Sequence, residues 1–111
     1  MSKASKRIEQ LTQELRRGVV TMVVLAQLKE AQYGYSLVEI LQSKGIEIEA
    51  GTLYPLLRRL EKQELLESKW DTTEGRPRKY YILSDLGEIT LDLLHDEWEE
   101  LSKNVNILMK G

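Results

Sequence analysis

Two groups of cations mark this chain: Arg58, Arg59 and Lys62 form one, and Arg76, Arg78 and Lys79 form the other. The chemistry open to them is recognition of anions. Guanidinium and ammonium groups neutralise phosphates, and an Arg pairs bidentately with the O6/N7 edge of guanine. The first group backs a stripe of Leu53, Leu56, Leu57 and Leu60 at i, i+3, i+4 and i+7, the pattern of a half-buried helix. Pro55, Arg58, Arg59 and Lys62 then share the opposite face. The second group lies in and beside a turn with Gly75 and Pro77, between two short β-prone runs, Leu65–Trp70 and Lys79–Leu83. A short helix with a buried Leu stripe and a basic back, followed by a basic hairpin, is how a winged helix meets DNA.

Other chemistries lack their parts. The chain has no Cys and one His, His95, so it offers no thiolate, no disulfide framework and no His-rich metal site. Asp96, Glu97, Glu99 and Glu100 scatter around the polar side of a helix with no convergent partner, which makes them a solvated face. His95 beside them reads as a surface helix residue rather than a pH sensor. No P-loop, GxGxxG or Ser/His/Asp set occurs, so catalysis is not expected. The densest apolar run, Val19–Leu28, is interrupted by Thr21 and Gln27 and is too short to span a bilayer. The start MSKASKRIEQ lacks a signal-peptide core, and a cytoplasmic protein is expected.

The net charge of −2 opposes DNA binding at first sight. Its distribution answers the objection. Residues 1–80 hold 14 Lys/Arg against 11 Asp/Glu, and residues 81–111 hold 2 against 7. An acidic arm beside a basic reader is the organisation this implies.

The elements that must position these groups are legible in outline. Residues 5–30 read as a helix with Ile8, Leu11, Leu15, Met22 and Leu25 on one side, and its C-terminal half belongs in the core. Gln32–Gly34 breaks it. A second helix spans about Tyr35–Lys44, with Leu37, Ile40 and Leu41 inward and Gly45 as its C-cap. Thr52 is placed as the N-cap of the third helix, with Pro55 tolerated near its start. Trp70 is expected to close the apolar layer, and Tyr81 to pack inward. The last helix opens at Ser84 and carries Leu91, Leu94, Trp98, Leu101, Val105 and Leu108 at 3-4-3-4-3 spacing. That is an a/d seam, suited to a second chain; the alternative is that the helix folds back on the first. The expected fold is mainly α with a small two-stranded β wing. Residues 1–88 form the winged-helix DNA-binding domain, including the N-terminal helix, and residues 89–111 a dimerisation helix.

At this point the segments GTLYPLLRRLEKQELLESKW, GRPRKYY and LSDLG, with YGYSLVEIL upstream, resemble the PadR family of bacterial transcriptional regulators, over roughly residues 17–90. The single C-terminal helix looks like its smaller subgroup. The resemblance implies a homodimeric repressor whose terminal helices make the dimer and whose third helix and wing contact an inverted-repeat operator. By position it assigns Thr52, Tyr54, Pro55 and Arg58 to the recognition helix and Arg76, Arg78 and Lys79 to the wing. One residue departs from the pattern: Glu64 stands where the family usually has Gly. Some PadR-like multidrug-responsive repressors sandwich planar aromatic compounds between paired Trp residues, and Trp98 would be the corresponding residue here; Met22, with its adaptable side chain, would help line such a pocket.

Each assignment has a plainer counterpart. Arg58, Arg59 and Lys62 are a solvated helix face if Glu61 neutralises them. Tyr54 either bonds a phosphate or packs beside the Leu stripe. Trp98 is either a ligand-stacking residue or a bulky interface anchor. For the whole chain the rival is a winged-helix module that binds protein through its acidic last helix and has no operator.

Overall fold

A computed structural model describes residues 2–111. The order is α1 (Lys3–Gln27), β1 (Gln32–Tyr33), α2 (Gly34–Ser43), α3 (Ala50–Lys62), β2 (Leu66–Asp71), β3 (Arg78–Leu83) and α4 (Asp85–Lys110). The three strands form one antiparallel sheet in the order β1-β3-β2. The two-stranded wing expected from the sequence therefore gains a third strand. Gln32 and Tyr33 pair with Tyr81 and Tyr80, a contact that two residues cannot announce by periodicity.

The core is built almost wholly from leucine. Val24, Leu25 and Leu28 from the end of α1 meet Leu37 and Leu41 of α2, and Leu53, Leu57 and Leu60 of α3. Leu66, Tyr81 and Leu83 close the sheet side, and Leu91 is the one contribution from α4 beyond its first turn. Backbone bonds stitch the layers together: Leu83 N donates to the Leu28 carbonyl at 2.8 Å, and Ser84 N to that of Leu65 at 3.0 Å. Ser84 caps α4 as expected, accepting from Gly87 N at 3.0 Å, while its hydroxyl donates to the Glu64 carbonyl at 2.6 Å. Gly87 is required there, because a Cβ would lie 2.1 Å from the Leu65 carbonyl oxygen.

Several local expectations are corrected. Thr52 is not the N-cap of α3; the helix begins at Ala50 and Glu49 precedes it, with no side-chain cap bond. The Glu49 carbonyl accepts from both Thr52 N and Leu53 N, so the turn starts early enough to carry Leu53 inward. Pro55 then falls in the second turn rather than the first. It removes the bond that would reach the Gly51 carbonyl, a group on an exposed residue and so within reach of water. Ile40 is only half-buried, and Val38 is the partly buried α2 residue packed on the core. Trp70 closes nothing: it is 63% exposed. The face that carries Leu66 and Ser68 runs on past the helical layer, so Trp70, opposite Lys79, stands on the projecting wing.

Two helices end alike with different residues. α2 and α3 both close with a left-handed residue, Gly45 at φ 86° and Glu64 at φ 64°. In each case the following amide reaches back to the last turn, Ile46 N to the Leu41 carbonyl and Leu65 N to that of Leu60. Gly45 adopts this conformation without penalty, whereas Glu64 carries a Cβ through it.

Outside the core the helices run on as arms. The radius of gyration is 16.4 Å, against about 13 Å for a compact chain of this length. Ile8, Leu11 and Leu15 of α1 are uncovered, as are Leu101, Val105 and Leu108 of α4. No helix is long and apolar enough to cross a membrane among the described residues.

Candidate nucleic-acid interface

With Leu53, Leu57 and Leu60 buried, α3 turns its other side outward. Thr52, Pro55, Arg58, Arg59 and Lys62 are all exposed. Tyr54 is half-buried and packs on the core; a Cβ on Gly34 would lie 2.5 Å from its ring. The bare α2 N-terminus thus makes room for the Tyr54 side chain, which favours the packing role over a phosphate bond.

Glu61 does not neutralise the arginines of its own helix. Its carboxylate accepts from Ser68 Oγ on β2 and lies 3.4 Å from Lys79 Nζ on β3. The Ser68 bond, aided by Lys79, holds its carboxyl below the usual range. Arg58, Arg59 and Lys62 are left with no side-chain hydrogen bond or ion pair among the described residues. The contact that would have made this face self-neutralising goes to the sheet instead, and binds α3 to the wing.

The wing cations differ from those of α3. Arg76 is exposed and unpaired among the described residues. Lys79 lies between Glu61 and two rings, its Nζ 5.4 Å from the Tyr81 centroid and 6.0 Å from that of Trp70. Arg78 sits 4.3 Å over the Tyr33 ring, donates to Tyr35 Oη at 3.1 Å, and pairs with Glu74 at 3.3 Å.

Around Arg78 the structure assembles a cluster that the sequence did not disclose. Tyr33 Oη donates to Asp71 Oδ2 at 2.6 Å, and Tyr33 stacks with Tyr35 at 6.2 Å and meets Tyr80 edge-on at 6.1 Å. Asp71 also accepts from Thr73 Oγ1 at 2.6 Å and Thr73 N at 3.0 Å. These bonds, those from Thr73 first, hold the Asp71 carboxyl down at about 2. The same Asp71 bond pushes the Tyr33 phenol above its ordinary value. Tyr33 and Asp71 lie 38 positions apart; the only hint was the aromatic pair of YGY at the start of α2. Together they tie the outer end of β2 to the start of α2, while the Glu61 contacts tie β2 and β3 to α3, so the wing and α3 present their cations in one relation.

Trp98 and Met22 are placed apart in role. Met22 packs against the core, whereas Trp98 is 39% exposed on the uncovered face of α4. Neither lines the groove of about 720 Å³ between α1 and α3. His95 is exposed on α4, 3.2 Å from Glu99.

Comparison with known proteins agrees with this geometry. Residues 24–93 match the family model described as the transcriptional regulator PadR-like family. A PadR family transcriptional regulator of Eggerthella lenta is similar in structure, with a TM-score of 0.89 and 46% identity over 96% of this chain and 95% of that one. A PadR-like regulator of Bacillus cereus gives a TM-score of 0.78 at 33% identity, covering 88% of this chain and 98% of its own. A Mycobacterium tuberculosis transcriptional regulator is 32% identical over 83% of this chain and 87% of its own length.

Proposed function

Since the chain belongs to the PadR-like family of transcriptional regulators, and is a DNA-binding regulator rather than an enzyme, we propose that it acts as a homodimeric repressor on an inverted-repeat operator. The observation that carries this reading is the set of unpaired cations on α3 held beside a wing that is anchored to the same core. Two such units on one two-fold axis would enter successive major grooves, about one helical turn or a small multiple apart. Residues from Gly87 to Leu91 of α4 belong to the reading unit, and the remainder of that helix, with the N-terminal half of α1, supplies the dimer contact. The uncovered apolar stripes support this division.

Within the site, Arg58 is the base reader, and Arg59, Lys62 and Arg76 neutralise phosphate. Thr52 and Pro55 shape the crest of α3. Arg78 and Lys79 hold the wing in register first, and reach phosphate only by giving up Glu74 and Glu61. Arg58→Ala is expected to weaken operator binding by about 1–3 kcal/mol and relax sequence preference, while Arg78→Ala weakens binding to all duplexes. Equal losses on operator and random DNA for both variants would contradict this division of labour.

An effector site is part of the proposal only as a property of the dimer. Trp98 lies on the face where two copies of α4 would meet, and a planar aromatic compound would stack there. Quenching of tryptophan fluorescence by planar cationic dyes, lost in Trp98→Leu, is the expected result; an unchanged spectrum removes the effector and leaves Trp98 as an interface anchor.

A further inference from the structure

The α1 side of the groove between α1 and α3 takes no part in the reading above. Arg16 and Arg17 line it from α1, and Thr52, Pro55 and Arg59 line it from α3. The last three also belong to the exposed face of α3, so groove and DNA-reading face are one continuous surface.

The helix wheel of α3 sorts its cations to two sides. Arg58 lies on the side of Glu61, whose carboxylate is bound to the wing strands. Arg59 lies on the side of Thr52 and Leu56, toward α1. The wing therefore gives α3 a cationic flank on one side, and Arg16, Arg17 and Arg59 give it one on the other.

The groove also stays open if two chains associate through their arms. Arg17 lies on roughly the opposite side of α1 from Ile8, Leu11 and Leu15, with Arg16 on the flank between, so covering that apolar stripe leaves Arg17 in solvent. Arg16 is oriented by donating to the Glu47 carbonyl at 2.9 Å. Arg17 is exposed, and its side chain has no partner among the described residues.

We propose that Arg17, with Arg16 and Arg59, holds the DNA backbone on the side of α3 away from the wing, so that each protomer grips the duplex on both flanks of its recognition helix. The inference rests on the DNA-binding reading and extends its footprint to α1. Charge complementarity and continuity with α3 favour a phosphate backbone over a small amphipathic anion, although Val20, Ile48 and Leu56 give the groove an apolar floor. Glu47 and Glu49 also line it and repel phosphate, so contact here adds affinity without sequence preference.

The test measures affinity of the whole protein for a selected operator and a random duplex across a salt series. It uses Arg17→Gln, Glu49→Gln, and, as a control for net charge, Lys103→Gln on the side of α4 opposite the Leu101 and Val105 seam. Arg17→Gln is expected to weaken both duplexes about equally, by roughly 3–10-fold at low salt. It should also lower the salt slope by about two units, one phosphate per protomer at roughly 0.9 each. Glu49→Gln should strengthen both, and Lys103→Gln should match the parent. An Arg17→Gln slope equal to that of Lys103→Gln overturns the proposal. Failure of the parent protein to bind any duplex is a different result, which removes the DNA reading and this inference with it.

Discussion

The centre of the molecule and its arms use the same residue types to different ends. In the centre, leucines from α1, α2, α3 and β2 meet one another and are buried almost completely. In the arms, leucines at equally regular spacing stand in solvent, Leu15 at 76% and Leu108 at 78% exposure. Periodicity alone does not distinguish the two. What separates them is whether another element of the same chain lies within reach. The centre has α2, α3 and the sheet stacked over it, whereas the ends of α1 and α4 outrun every neighbour. The arms therefore carry uncovered apolar surface, which the proposed dimer would bury, and the centre is a unit that folds around its own core.

The largest effects come from breaking each region in turn. Leu57→Ala removes a fully buried side chain and should cost about 2–5 kcal/mol of folding stability, lowering the denaturation midpoint whatever the protein concentration. Leu101→Glu should leave the secondary structure and the sheet intact yet abolish association, because a charge cannot be buried unpaired in an apolar seam. Sedimentation and circular dichroism on the two variants would separate the regions. Unfolding by Leu101→Glu, or undisturbed self-association, would contradict the distinction.

A smaller change sharpens the centre. Glu64 holds a left-handed conformation that Gly45 occupies freely at the equivalent end of α2. Glu64→Gly should stabilise the fold by about 0.5–1 kcal/mol net of the added chain entropy, raising the melting temperature by a few degrees at fixed protein concentration. No gain would mean that the strain is relieved elsewhere.

The smallest effect is at the wing. The Asp71 carboxyl titrates at about 2, below its ordinary 3.8, so its bonds are fully present above that ordinary value and are lost as pH falls toward 2. Tyr33 is shifted up by the same contact, so its share is present below pH 10 and is lost as the phenol ionises. Hydrogen exchange at Thr73 N, which donates to Asp71, should accelerate on acidification below about pH 4 relative to core amides. Asp71→Asn should remove that dependence.

The sequence disclosed the elements that carry their own signal. The Leu stripe and basic back of α3, the Ser84 cap and the burial of Tyr81 could each be read from local spacing. What escaped depended on contacts distant along the chain. β1 exists only because β3 offers it an edge, and the Tyr33–Asp71 tie joins residues on separate strands. The start of α3 was missed because Thr52 has a good capping side chain, whereas the helix begins where the Leu stripe needs it to. Trp70 was misplaced because alternation continues along β2 after the core beneath it has ended. In the candidate site, the exposed face of α3 was foreseen, while the engagement of Arg78 and Lys79 within the wing was not.

The most direct test of the central claim is selection of bound duplexes from a random library by the full-length protein, read at two salt concentrations. The account predicts recovery of an inverted repeat whose half-sites lie about one helical turn or a small multiple apart, with affinity falling steeply as salt rises. No enrichment, with weak binding even at low salt, would contradict it and turn attention to a protein partner for the acidic last helix.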